Sequence, residues 1–385
     1  MAASCSDVRN TDPYKDGVHV LTVLTQWPQG EYTRGGNDVV VEDMNTGSRY
    51  LSQTDSEGIV RFTLPNGLYR INLSGRDDSN VFNAAADRVV LSGADLTAVL
   101  DILISRPGSI VFKEIYCGGC LKHPQQGNYQ LDQYIIFHNN DFNVQYLDGI
   151  CFGYLFPYNS NTPNPWLGSG SDLPEFIPVA DALWQFPGDG DDFPLQPGED
   201  AVMCLRGAID HAAEYPLSVN LNRPDYFVCY NPQFPNPTYH PAPGNLISQD
   251  RYLDVVYKSG QSTAVAMSLN SPAVVIFRAE CEDIRSYAKE NRTQVPGRTE
   301  MVIKMPYEWL LDAVEVFNGG SSSNQKRLAP SADAGYVLLS DTFLGHTLMR
   351  NVDEEASASA GYEILSDTNN SLNDFHETQI QSLHE

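Results

Sequence analysis

No apolar run in this chain approaches the about 20 residues that a membrane-spanning helix requires. Basic residues are scarce: 24 Lys and Arg stand against 49 Asp and Glu, a formal net charge of -25. That balance repels phosphate backbones, so no nucleic acid is expected as a partner. It also opposes adsorption to anionic lipid, so contact with a membrane would need an anchor rather than a basic face. Catalytic signatures are missing too. There is no G-x-S-x-G elbow and no Gly-rich loop followed by Lys-Ser/Thr. His376-Glu377 opens like a zinc-protease helix, but Ile380 stands where the second histidine belongs. Cys117-Gly118-Gly119-Cys120 has no second C-x-x-C to complete a zinc frame. These gaps favour a non-enzymatic protein with no cofactor.

What is present is β structure. The 20 Tyr and 16 Phe argue for a folded chain rich in strands. Val18 to Trp27 reads as a strand, and so does VVVED after the Gly35-Gly36-Asn37 turn. Asp55 opens a turn that Gly58 completes; Val60, Phe62 and Leu64 then alternate with polar neighbours, as a half-buried strand requires. Asn66-Gly67 predicts a two-residue hairpin, with Tyr69, Ile71 and Leu73 facing inward on the returning strand. Val89 to Ile104 supplies closing strands, and Arg106-Pro107-Gly108 marks a boundary. Beyond it, Ile110–Tyr116 and Gln133–His138 are dense in β-branched and aromatic residues and form the pair that the rest elaborates. Arg285 to Asn291 reads as a short helical insert, and Gly319 to Asn324 as a flexible Gly/Ser loop.

Thr54, Asp55, Gly58, Phe62, Leu64, Pro65, Gly67 and Tyr69 fall on a pattern that resembles the transthyretin-like, carboxypeptidase-regulatory-like module. In the second part, Glu114, Gln133, Asn139, Asn140, Leu147 and Gly149 resemble positions of a lamin-tail domain. LQPGE at Leu195–Glu199, LDAVE at Leu311–Glu315 and GHTLMR at Gly345–Arg350 continue that resemblance in order, without one usual glycine and with Thr347 for Ser. Asp367 to Phe375, DTNNSLNDF, resembles the closing signature of an uncharacterised family of bacterial surface lipoproteins with this layout. Ala2-Ala3-Ser4-Cys5 resembles the box before the lipidated cysteine of such proteins, although no complete signal peptide precedes it. The resemblance implies an all-β protein of two immunoglobulin-like or transthyretin-like sandwiches. Residues 1–16 would be a tether, 17–106 the first sandwich, 107–375 the second with long insertions, and 376–385 a tail. It also implies lipidation at Cys5 and a place on the outer-membrane surface.

Two Pro/Gly/Asn-rich stretches, between Phe152 and Asp192 and between Tyr226 and Asp250, are too long for ordinary connections. Loops on a rigid scaffold are where binding usually sits. Trp166, Trp184, Tyr230, Phe234 and Tyr239 fall in or beside them. They are candidates for a platform under a sugar ring or partner surface, or else staples that fix their own loops. Cys117 and Cys120 can form a reducible disulfide, contribute to a metal site, or remain ordinary thiols. Asp189, Asp191 and Asp192 invite calcium, since hard cations take several carboxylates from a tight loop, yet EF-hand spacing is missing.

The expected function is binding or adhesion at the cell surface toward a glycan or protein, or as accessory to an outer-membrane transporter. A metal-dependent hydrolase would instead use the loop Asp189–Asp192 with His211. A structural spacer is the third reading, favoured if Trp166 and Trp184 are buried.

Overall fold

Strict alternation builds the first unit. In the strand Ile59–Pro65, Val60, Phe62 and Leu64 are buried while Arg61 and Thr63 are exposed. A computed structural model describes residues 17–77, 80–167, 173–234, 236–258, 265 and 267–384, so the expected tether and Cys5 lie outside the described residues. The chain divides between Ser105 and Arg106 into two compact units.

The smaller unit has two sheets. One holds Ile59–Pro65, Val18–Gln26 and Leu96–Asp101 side by side; the other runs Arg49–Gln53, Asp38–Asp43, Gly67–Arg76, Val81–Leu91, Leu103–Ser105. Their inner faces share a core that includes Leu21, Val23, Val39, Val41, Tyr69, Ile71 and Leu73. The Asp55 carboxylate accepts from the amides of Glu57 and Ile59. Gly58 completes that turn at φ +79°, and a Cβ there would meet Thr25 Oγ1 at 2.1 Å. Asn66-Gly67, however, is not a hairpin. Ile59–Pro65 and Gly67–Arg76 lie in different sheets, so the dipeptide is the corner where the chain crosses the sandwich. Tyr69 Oη donates to the Pro65 carbonyl at 2.8 Å, and Asn66 Oδ1 accepts from Gly93 N at 2.9 Å, which holds the corner.

The larger unit is also a sandwich. Its first sheet runs Phe227–Val228, Asp200–Cys204, Tyr134–Asn139, Ile110–Tyr116, Thr347–Arg350, Phe375–Thr378. Its second runs Arg292–Gln294, Met301–Met305, Ile177–Gln185, Ile150–Leu155, Ala273–Arg278, Leu310–Asn318, Val337–Leu339, with Asp254–Lys258 beside Ile177–Gln185. Phe112, Phe137 and Met203 from one sheet meet Phe152, Trp184 and Ile276 from the other in the main core. Both outer faces are covered as well: Tyr116, Tyr134 and Cys204 belong to one satellite core, and Cys151, Leu183 and Phe277 to another. That is why Tyr134–Asn139 and Ile150–Leu155 read as continuous apolar runs rather than alternating ones.

Two expectations about mobile segments change. Residues 376–384 are knitted in rather than trailing: Phe375–Thr378 is an edge strand, and Ser382 donates from both its amide and its hydroxyl to Glu114. The Gly319–Asn324 loop is tied down, because Asn324 Nδ2 donates to the carbonyls of Asn318 and Ser321 at 2.9 and 2.8 Å. The helical insert forms over Ile284–Glu290, where the Asp283 carboxylate caps the amides of Arg285 and Ser286.

Candidate functional site

The residues singled out in the sequence do not gather in one place. Trp184 is fully buried in the strand Ile177–Gln185, paired opposite Phe152, so it is core rather than platform. Trp166 is half-buried and packs edge-on against Phe176 at 5.6 Å. Tyr230 is half-buried edge-on to Tyr252, at 5.7 Å. These three staple their surroundings, as large aromatic side chains do when a core can reach them. Tyr239 differs: it is 46% exposed.

Cys117 and Cys120 are separate thiols, not a disulfide. Cys117 points into the main core, whereas Cys120 Sγ faces the Asp132 carboxylate at 3.4 Å. Burial, helped at Cys120 by the Asp132 charge, pushes both thiols up to about 12. At neutral pH both are protonated, which disfavours them as nucleophiles or metal ligands.

The acidic loop is organised from outside itself. Asp189, Asp191 and Asp192 are exposed, while the buried Asp148 carboxylate accepts from the amides of Gly190, Asp192 and Phe193 at 3.0, 2.9 and 2.9 Å. Gly188 passes close enough that a Cβ would meet Asp148 Oδ1 at 2.1 Å. Burial pushes Asp148 up, but the three amides outweigh it and hold its carboxyl below the usual range. The tight Asp/Gly run is therefore the wrapping of a structural carboxylate. Asp148→Ala is expected to cost about 2 kcal/mol above pH 5, since hydrogen bonds to a charged acceptor are the strong ones. The depressed carboxyl contributes stability above its unfolded value, and that contribution fades as pH falls through the folded one. Urea titrations of both proteins at pH 7 and pH 3 test it; equal gaps at the two pH values contradict it.

Among the described residues, the His/Cys/Asp/Glu side chains whose ligand atoms converge are His138, Asp200 and Glu363, within 4.8 Å of one another. A cation already sits there. Lys113 Nζ donates to Asp200 Oδ2 at 2.7 Å and also to Glu363. Burial alone would pull Lys113 down, but the two carboxylates hold its ammonium above its ordinary value. His138 Nδ1 meets Asp200 Oδ1 at 2.6 Å and its Nε2 meets the Glu363 carbonyl at 3.0 Å, so both ring nitrogens are engaged. Burial pushes Asp200 up, and His138 and Lys113 bring it below the usual range. The cluster is a closed ion pair rather than an open coordination site.

His211 does not join the loop Asp189–Asp192. Its Nε2 meets the Gly207 carbonyl at 2.8 Å, and its Nδ1 meets Tyr129 Oη at 2.6 Å. A carbonyl only accepts, so Nε2 carries the proton and Nδ1 accepts from the tyrosine. Burial pulls the ring down, in keeping with that neutral form. Nearby, Asp132 Oδ2 accepts from Tyr116 Oη at 3.0 Å and Ser218 Oγ at 2.6 Å. Burial pushes the Asp132 carboxyl up. This buried polar knot was invisible in sequence, because Asp132, His211 and Ser218 lie in three unrelated stretches.

One further group escaped notice. Arg206, half-buried just beyond the strand Asp200–Cys204, makes no hydrogen bond or ion pair among the described residues. Its Nε is buried without a partner. It lies within electrostatic reach of the Tyr154 and Tyr239 hydroxyls and the His240 ring. The long loop holds this arrangement: Tyr239 N and His240 N both donate to the Asn236 carbonyl, and Gly244 N donates to the Ala208 carbonyl at 2.7 Å. Lys258, at the end of Asp254–Lys258, stands over the Phe234 ring at 5.7 Å. Two cations and several aromatic rings thus meet where the long loop crosses the sandwich.

These features define an all-β protein of two units whose larger sandwich carries buried ion pairs. Residues 196–382 match the model of a family described as a protein of unknown function (DUF4876). The fold is similar to the crystal structure of a DUF4876 family protein from Bacteroides thetaiotaomicron VPI-5482. The TM-score is 0.58 at 24% identity, over 94% of this chain and 96% of that one. No curated protein matches the sequence.

Proposed function

We propose that this chain is a non-enzymatic binding protein of the outer-membrane surface, lipid-anchored through Cys5, with a transthyretin-like unit preceding a lamin-tail-like one. The observation that carries the reading is Tyr239, an aromatic ring 46% exposed on a loop whose backbone is tied at Asn236 and Gly244. A tyrosine has few rotatable bonds, so an exposed ring on a held backbone loses little entropy on contact with a sugar face or a partner surface. His211, the histidine that the hydrolase alternative would use, is held by Tyr129 and the Gly207 carbonyl. Partners in this reading are a glycan or surface protein, or an outer-membrane transporter that the chain assists.

A glycan panel titrated against the full chain tests the proposal. Tyr239→Ala is expected to weaken the bound glycan about tenfold or more, as truncating an interface aromatic does. Tyr230→Ala, which alters a packed ring, should leave affinity within about twofold. Equal binding by the wild type and Tyr239→Ala would place the contact elsewhere. A spacer role is the second reading, favoured by the complete burial of Trp184; it gains if the panel and a surface-protein pull-down both come back empty.

A further inference from the structure

Two donors near Tyr239 lack acceptors among the described residues. The first is Arg206 Nε, buried and unpartnered in a chain with 49 acidic residues from which to choose. The second is His240. Val265 N donates to its Nε2 at 3.4 Å, so the ring proton of the neutral form sits on Nδ1, and Nδ1 is buried with no partner. His240 is 2% exposed, and burial together with the Arg206 and Lys258 charges pushes it down to about 4, so it stays neutral at physiological pH. A buried N–H without an acceptor is costly, and folded proteins rarely leave two together. The Tyr154 and Tyr239 hydroxyls lie within electrostatic reach of Arg206, and Lys258, which stands over the Phe234 ring at 5.7 Å, within reach of His240. The fully buried arginines Arg327 and Arg350 each face a carboxylate. Here the carboxylate is missing from the chain's own described side chains.

We propose that Arg206 and His240 form an oxyanion subsite, and that its ligand is an acidic saccharide whose carboxylate or sulfate seats there while a sugar ring lies against Tyr239. The guanidinium fork suits a planar or tetrahedral oxyanion in two-point contact. The imidazole N–H supplies a neutral donor, and the aromatic rings supply the face that a pyranose covers. This inference rests on the binding reading and narrows it to one ligand class.

The test is calorimetric titration of the full chain with trigalacturonate, a sulfated chondroitin disaccharide, and neutral maltotriose, with sodium sulfate as a minimal probe. A carboxylate or sulfate ligand is expected to bind, more weakly as NaCl is raised, and the arm that responds identifies which anion it is. Arg206→Gln should weaken that ligand roughly tenfold to a hundredfold, and Arg206→Lys should restore part of the loss, because charge returns without the fork. Melting temperatures of both variants near the wild-type value confirm that the fold is kept. If maltotriose binds and depends on Tyr239 while Arg206→Gln changes nothing, the anion subsite is overturned and the binding reading stands. Acidic saccharides bound equally by wild type and Arg206→Gln overturn the subsite as well. If no saccharide and no sulfate binds, the anion subsite is overturned, and the binding reading is left to the surface-protein pull-down.

Discussion

Arg327→Met is expected to cost the larger unit about 3–5 kcal/mol or more, enough to unfold a marginal domain. Arg327 and Glu315 are both fully buried. The guanidinium donates to Glu315 Oε1 at 2.7 Å and to the carbonyls of Pro157, Tyr158, Ser271 and Val316. Glu315 Oε2 in turn accepts from the amides of Arg327 and Leu328 at 2.7 and 3.0 Å. One side chain therefore ties the strand Leu310–Asn318 to two loops that would otherwise bury bare carbonyls. Removing it strands a charge and several acceptors at once. Neutralising the partner separates those two losses. Glu315→Gln in the Arg327→Met background should recover part of the stability, because Gln still accepts from the two amides while the stranded charge disappears. Urea denaturation of the wild type, both single variants and the double variant supplies the cycle. A loss below about 1 kcal/mol for Arg327→Met would show that the pair is incidental.

The second large effect is at Arg350, and it should depend on pH. Arg350 is buried against Asp312, Asp367 and Asp374, and also donates to the carbonyls of Phe112 and Ser366. One cation faces three carboxylates. Burial and mutual repulsion push Asp312 and Asp374 above the usual carboxylate range, against the pull of Arg350. Unfolded aspartates titrate near about 4. Between that value and the raised one, the folded chain holds more protons than the unfolded chain, so stability from these groups is greatest in mild acid and declines as pH rises. Arg350→Met removes the pull and widens that window upward. Its deficit against the wild type is expected to reach about 3–5 kcal/mol at pH 8 and to be smaller at pH 5, where the carboxyls can be neutral. Measuring the variant beside the wild type at both pH values cancels the titration of Asp132 and Asp333, which are also raised by burial. A deficit independent of pH would mean that Arg350 acts by packing on Phe375 rather than by charge.

Both arginine networks draw on the stretches that carry the family resemblance. LDAVE contributes Asp312 and Glu315, GHTLMR contributes Arg350, and DTNNSLNDF contributes Asp367 and Asp374. Asn370 caps the short helix Ser371–Asp374, and Ser371 N donates to Asp333 at 2.9 Å. These polar signatures are the buried joints of the sandwich. Charged residues in a recognisable pattern look like a site from sequence, because sequence carries no record of burial.

Strands were legible because their signal is local. The alternation of Val60, Phe62 and Leu64, or of Tyr69, Ile71 and Leu73, needs only a period of two to be seen, and each of these residues proved inward. Asn66-Gly67 was misread for the complementary reason. A hairpin and a sandwich corner place the same turn residues between two strands, and which neighbour each strand finds is settled by distant chain: Val18–Gln26 for one, Asp38–Asp43 and Val81–Leu91 for the other. The acidic loop failed in the same way, since the group that organises it, Asp148, lies some forty residues earlier. Trp184 looked like a loop residue because Pro and Gly crowd the text around it.

By itself the sequence determined the β class, the inward faces of the regular strands, the break near Arg106 and the turns closed by Asp55 and Gly58. Each of these follows from side-chain period or from backbone freedom within a few residues. Tertiary structure decided which strands share a sheet and, among the described residues, that Lys113 fills the converging ligand set and that Arg206 has no carboxylate partner. Those outcomes depend on which groups a folded chain brings within a few ångströms of one another. Burial and pairing are properties of that neighbourhood, not of any segment read alone.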